Sequence, residues 1–264
     1  MTGCRISYGR LRHFLKGFNM DDLILNITEE GIEAAGTEQK MFYIHKWTRY
    51  QANEGECIEA GDIPIGQLAT FISLIGECGQ GGDEIELSYT DDVITVSGPQ
   101  STFSIPSVTN PASQAGVEVI SGFIEAAEAD DWKTFGQGGV FDYHLEFDAE
   151  AFQQLRNTGK AIQSGSLYCV EVGDETLTLS VKRDSVRVDR SIEHNSTFDS
   201  DEPVINWFGQ WLMDALKAMP GVGEVHVHGG NHAPFLIRQE ATGTDTGYGQ
   251  TLVVSPRQES GANK

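Results

Sequence analysis

Three imidazoles stand close together late in this 264-residue chain: His226, His228 and His232. If they lie on a strand, His226 and His228 share one face, because side chains alternate with a period of two. With His232 they form a nitrogen donor set that suits zinc, and an open fourth position makes such a site catalytic. The commoner arrangement is a solvent-facing pair on a strand. Asp199, Asp201 and Glu202 can gather a hard cation. Without the glycine and terminal Glu of a calcium loop, they read as a solvated turn. Cys4, Cys57, Cys78 and Cys169 contain no C-x-x-C pair, so they suggest neither a zinc framework nor a disulfide scaffold. Phosphate loops, dinucleotide loops, nucleophile elbows and H-E-x-x-H are missing from the sequence. Gly79–Gly82 and Gly136–Gly139 both read Gly-Gln-Gly-Gly, with no Lys or Ser/Thr behind them, and predict turns. No catalytic residue, metal or cofactor is assigned.

Charge carries more information. Asp and Glu total 39 against 18 Lys and Arg, a net −21. Self-repulsion of that size destabilises a compact domain in dilute buffer. It matters little where molar salt shortens the Debye length to about 3 Å, so the balance predicts a salt-loaded solvent, such as the cytoplasm of a halophile or the host of its virus. Taken whole, it argues against a general nucleic-acid binder with a basic surface. The distribution says otherwise. Residues 1–20 carry Arg5, Arg10, Arg12 and Lys16 with no acid, and residues 151–170 carry Arg156 and Lys160 with no acid. Arg12 and Lys16, like Arg156 and Lys160, are four apart and share a helix face. Such a face offers salt-dependent, sequence-blind attraction to phosphates. The alternative is a solvated face paired with nearby carboxylates.

The elements that would position these residues are legible from periodicity. Strands are predicted at Leu23–Ile27, Ile32–Ala35, Met41–Trp47, Glu84–Tyr89, Val93–Ser97, Thr102–Ile105, Phe141–Phe147, Leu167–Val172, Thr176–Val181, Val186–Ile192, Glu224–His228, Phe235–Gln239 and Thr251–Val254. Turn signals such as Glu30-Gly31 and Asp91-Asp92 separate them. Four segments have helical spacing instead. The first carries Leu11, Phe14, Leu15 and Phe18, and the second runs from Ile65 to Ile75. The third follows Asp148 as N-cap, with Phe152, Leu155 and Ile162, and the fourth runs from Phe208 through Leu212 and Leu216 to Met219, stopping at Pro220-Gly221.

A shift of 144 residues brings Tyr8 onto Phe152, Leu11 onto Leu155, Arg12 onto Arg156, Lys16 onto Lys160, Leu68 onto Leu212 and Ile72 onto Leu216. One shift that matches two helices predicts two copies of one strand–helix–strands–helix–strands unit. Residues 107–139 read as a linker by their Pro, Gly and acid content. Their Val117, Val119, Ile120, Phe123, Ile124, Trp132 and Phe135 predict that part of it packs on the body or presents a binding edge. No secretory h-region and no membrane-spanning apolar run is present. The expectation is an intracellular, cytoplasmic protein.

In this layout the chain resembles a DNA sliding clamp of the proliferating-cell-nuclear-antigen (PCNA) type. Residues 22–32, Asp-Leu-Ile-Leu-Asn-Ile-Thr-Glu-Glu-Gly-Ile, resemble an early strand–turn–strand of those clamps, and Ile58–Ile75 resembles their strand and Leu-rich helix. Ala233-Pro234-Phe235-Leu236-Ile237 resembles their Pro-led strand, and Val253-Val254-Ser255-Pro256-Arg257 their closing strand. The resemblance implies an α+β fold of two similar clamp domains, each with antiparallel sheets outside and two helices on one face. The domains would be residues 1–106 and 140–257, joined by linker 107–139 and followed by tail 258–264.

The resemblance also implies a non-enzymatic homotrimeric ring around double-stranded DNA. Such a ring serves DNA polymerase and other clamp-binding replication proteins and is placed by a clamp loader. Carried over residue by residue, the DNA-facing bases are Arg10, Arg12, Lys16, Arg156, Lys160 and Lys217, with none from the second helix. Client motifs would dock at Met41, Phe42, Pro234, Val254, Ser255 and Pro256. Subunits would pair through Thr102, Phe103, Ser104 and Ile105 with Val186, Arg187 and Val188. The family's Asp-Ser-Ser-His-like turn reads Glu38-Gln39-Lys40-Met41 here, and the linker is longer. Two rival readings use the same residues: an acidic interaction protein that mimics DNA, and a metal enzyme built on the three late histidines.

Overall fold

The fold comes from a computed structural model that describes residues 1–16, 18, 20–38, 42–50, 53, 55–107, 134–135, 139–160, 167–183, 186–198, 202–210, 212–213, 216, 223–231, 233–240 and 249–254. The chain divides into two compact units.

In the N-terminal unit, β1 (Thr2–Ser7) leads directly into α1 (Tyr8–Lys16). The helix buries Tyr8, Leu11, Phe14 and Leu15, the stripe expected from their spacing, and packs on β1 and α2 (Leu68–Ile75). Each such side chain contributes about 1.5–3 kcal/mol on full burial. Five strands form one antiparallel sheet in the order β5 (Gly55–Glu59), β1, β7 (Glu84–Thr90), β8 (Val93–Ser97), β9 (Thr102–Pro106). The β7–β8 hairpin pairs Thr90 with Val93 across Asp91-Asp92. Both aspartates have positive φ, 52° and 60°, as the primed two-residue turn that matches strand twist requires. A second group of strands runs in the order β4 (Phe42–Arg49), β3 (Gly31–Glu38), β2 (Leu23–Ile27), β6 (Gly61–Ile65). Strand β2 is buried at every second residue, with Leu23, Leu25 and Ile27 inward.

The second predicted helix starts later than its apolar pattern suggests. Ile65 is the last residue of β6, paired with Leu23. Gln67 then takes a left-handed conformation, φ 52°, which ends the strand and launches α2 at Leu68. Three more strands escaped the periodicity: β1, β5 and β6.

The C-terminal unit repeats the plan. Strand β12 (Tyr143–Asp148) runs into α3 (Ala149–Lys160), as β1 runs into α1. Asp148 caps α3: its Oδ1 accepts the Ala151 N–H at 2.7 Å. One sheet follows the order β16 (Asn195–Phe198), β12, β18 (Glu224–Gly229), β19 (Phe235–Glu240), β20 (Gly249–Val254). The other follows β15 (Val186–Glu193), β14 (Thr176–Arg183), β13 (Leu167–Val172), β17 (Val204–Phe208). Element for element, these orders match those of the first unit. Tyr8 and Phe152, Leu11 and Leu155, and Leu68 and Leu212 are all buried, so these matched pairs serve as core residues in their own units.

Phe208, expected to open the fourth helix, instead closes β17 opposite Tyr168. Gln210, Leu212, Met213 and Leu216 are helical beyond it. Strand β16 was not foreseen either. In the expected linker, Thr134–Phe135 (β10) and Gly139–Val140 (β11) pair as a short hairpin. Residues 108–133 and the tail lie outside the described residues, as do Ile162, Met219 and Pro220-Gly221. Among the described residues no helix is long and apolar enough to cross a membrane, and all four cysteines are free thiols.

Candidate functional site

Helix α1 keeps its bases on one continuous face. At 100° per residue, Arg12, Lys16, Gly9, His13 and Arg10 follow one another around the helix, opposite Phe14, Leu11, Leu15 and Tyr8. The first turn of α1 offers no free donors to a ligand. Tyr8 N–H donates to the Asp83 carbonyl at 2.8 Å, Gly9 N–H to the Gly81 carbonyl at 3.0 Å, and Arg10 N–H to Ser7 Oγ at 3.4 Å. Any anion attracted here therefore meets side chains.

Those side chains differ in how far they are committed. Arg10 Nη1 donates to the Arg49 carbonyl at 2.8 Å, which ties it to the end of β4. Arg12 is half-buried, with its guanidinium carbon 5.7 Å from the centroid of the Tyr8 ring one turn back. Its Nε meets no hydrogen-bond acceptor among the described residues. Lys16 and His13 are exposed. Arg5, the fourth base of the acid-free window, is occupied elsewhere: Nη1 contacts Glu56 Oε1 at 2.6 Å and Nε contacts Glu86 Oε2 at 3.1 Å. Sequence proximity could not reveal this, because the two acids arrive from β5 and β7.

Helix α2 presents Ala69, Thr70 and Ser73 to solvent and no base, as expected. Helix α3 carries Arg156 and Lys160 at the positions matching Arg12 and Lys16, and its Gln154 and Asn157 are exposed. Their side chains, and Lys217 entirely, lie outside the described residues. Of the expected client-docking positions, Pro234 is half-exposed just before β19, Phe42 opens β4 and Val254 ends β20. Met41, Ser255 and Pro256 lie outside the described residues, as do His232, Asp199 and Asp201.

The two segments expected to pair between subunits are both sheet edges. Strand β9 ends the five-stranded sheet, and β15 ends the four-stranded sheet. Strand β15 buries only Ile192 of its eight residues, and Val186 is 54% exposed. Among the described residues, β9 pairs only with β8 and β15 only with β14.

The late histidines are not a solvent-facing pair. His228 is 4% exposed and is held neutral, its pKa lowered to about 3 by burial and by neighbouring His144 and His226. The residue that joins them is His144 of β12, whose Nε2 lies 3.2 Å from His226 Nδ1 and whose ring stacks on His228 at 4.3 Å. Nothing in local sequence spacing signals His144, because it comes from a strand 82 residues earlier.

Strand order and the repeated strand–helix units define a class by fold: the α+β sliding-clamp fold, mostly antiparallel sheet with two similar domains. A solved structure described as PCNA from Thermococcus kodakaraensis matches it with a TM-score of 0.65 and 12% sequence identity. The match covers 97% of this chain and 100% of that one. No protein-family model and no curated protein matches the sequence. The likeness is thus one of fold, carried by the arrangement of elements with few shared residues.

Proposed function

We propose that this chain is the subunit of a homotrimeric DNA sliding clamp, a processivity factor that encircles duplex DNA and tethers DNA polymerase and other replication proteins without chemistry of its own. The observation that carries the reading is the full-length fold match to a PCNA. Two edge strands, β9 and β15, support it, since exposed edges invite strand addition from another copy. Head-to-tail pairing of Thr102–Ile105 with Val186–Val188 uses these two edge strands in every subunit and closes a ring of three when each contact turns the chain by a third of a circle. The clamp domains are residues 1–106 and 140–257, with 107–139 as connecting linker and 258–264 as tail.

In this reading Arg10, Arg12, Lys16, Arg156, Lys160 and Lys217 face the DNA backbone. Met41, Phe42, Pro234, Val254, Ser255 and Pro256 receive client motifs, and a clamp loader places the ring. The sparse bore suits topological retention. Encirclement holds DNA when salt has weakened phosphate contacts, and the acidic exterior suits a high-salt cytoplasm, archaeal or of a virus-infected host.

Light scattering in molar salt tests the assembly. A particle near three times 28.9 kDa is expected, and a stable monomer across micromolar concentrations would rule the ring out. Reversal of Arg12, Lys16, Arg156 and Lys160 to Glu lowers clamp-dependent DNA synthesis at the lowest salt the protein tolerates. The log–log salt slope of DNA association falls by about 0.9 for each phosphate that the variant no longer neutralises. An unchanged rate removes those four residues from the interface.

A further inference from the structure

The face of β12 and β18 opposite Leu145 and Val227 carries a donor set outside the residues assigned above to DNA and to clients. Antiparallel register places His144 opposite His228 and Glu146 opposite His226. The alternate residues Tyr143, Leu145, Phe147, Val225 and Val227 are buried on the other face. His144 Nε2 and His226 Nδ1 are 3.2 Å apart. Two nitrogens bound tetrahedrally to one zinc ion at about 2.0–2.1 Å are separated by about 3.3 Å. Glu146 Oε1 lies 3.8 Å from the same His226 Nδ1, and one donor atom from each of the three residues falls within 4.8 Å of the others.

The surroundings favour the same use. Glu224 Oε2 lies 4.0 Å from His226 Nε2, the ring nitrogen that points away from the cluster. At that distance the carboxylate makes no hydrogen bond to the ring but adds negative charge beside it. The His228 ring lies flat on His144, with an interplanar angle of 4°, and fixes its plane. Arg238, opposite His226 on β19, opposes a bound cation. Glu146 and Glu224 supply two negative charges against that one positive charge.

We propose that His144, Glu146 and His226 bind one divalent transition metal of the zinc type, with a fourth position open to water or to a donor from a partner protein. Two imidazoles and a carboxylate, without thiolate, make a borderline donor set that suits zinc or cobalt better than calcium or magnesium. The three residues belong to one unit, so the site does not depend on the ring.

Full-length chain lacking a histidine tag, stripped with a chelator, tests it by equilibrium dialysis with Zn²⁺ and visible absorption with Co²⁺. One equivalent of Zn²⁺ per chain is expected, with the intense Co²⁺ d–d bands of a four-coordinate site. Glu146→Gln and His226→Gln lower Zn²⁺ affinity by about tenfold or more. Glu224→Gln, which removes only a nearby exposed charge, lowers it by less than either. Circular dichroism of the three variants stays that of the parent, so loss of metal is not loss of fold. Absence of a stoichiometric equivalent overturns the proposal and leaves a plain His144–His226 hydrogen bond. Binding that survives His226→Gln, or that is abolished by His232→Gln while Glu146→Gln leaves it intact, equally overturns it.

Discussion

At the scale of single residues, burial decides what chemistry survives. Cys4 is fully buried opposite Cys57 on β5, and its thiol is pushed up to about 12, chiefly by burial. Burial also raises the Cys57 thiol, though Cys57 is only half-buried. The unfolded chain loses the Cys4 proton from about pH 9 upward, while the folded chain keeps it up to about pH 12. Stability from this group is therefore full below pH 9 and falls as pH rises between 9 and 12, by about 1.4 kcal/mol per unit. Urea midpoints between pH 8 and 11 should show that decline, with a shallower slope in Cys4→Ala. Iodoacetamide on the folded protein should label Cys57 well before Cys4 or Cys78, both of which are 0% exposed, as peptide mapping will show. Arg5 teaches the same lesson for charge, since two acids from other strands occupy it and leave Arg10, Arg12 and Lys16 as the basic set of α1.

Elements were legible where one side-chain period ran uninterrupted, and were misread where two met. The run Val204–Phe208 alternates buried and exposed as a strand, but Phe208, Leu212 and Leu216 are spaced four apart and imitate a continuing helix. Strand β1 hides for a different reason: Gly3 and Cys4 are both buried, which breaks the alternation. A Cβ at Gly3 would meet the Leu87 carbonyl oxygen at 2.7 Å, so β1 and β7 need a glycine there. The Asp148 cap on α3 was visible from its type and place, and Asp148→Ala should cost about 1 kcal/mol in a denaturant titration. Leu11 and Leu155 occupy equivalent buried positions on α1 and α3, at 0% and 2% exposure. Leu→Ala at either should lower stability by about 2–5 kcal/mol, and similar losses at the two sites would mark them as one structural role used twice.

For the whole molecule, the question is how an acidic chain of this size presents sheet edges without aggregating. The proposed ring answers by pairing β9 with β15 of the next copy. Val186 is 54% exposed at the start of β15, an apolar side chain that a pairing subunit would cover. Val186→Asp should shift the oligomer toward monomer in sedimentation velocity while leaving far-ultraviolet circular dichroism unchanged. A trimer of undiminished affinity would place the subunit contact elsewhere. Salt should act in the same direction on fold and assembly, since a chain of net −21 repels itself and its copies until screened.

By itself the sequence determined the duplicated plan. Apolar period, turn chemistry and the 144-residue shift depend on neighbours within a few residues or on a simple repeat, and both are written along the chain. It also determined the acid-free windows on the two matching helices. Tertiary structure alone decided which bases remain available, which strands are edges, and that His144 and Glu146 meet His226. Each of those is a pairing between strands tens of residues apart, fixed by register and burial across a sheet. Register is set by which face of every strand must be hidden, and that choice is made by the packed layers together.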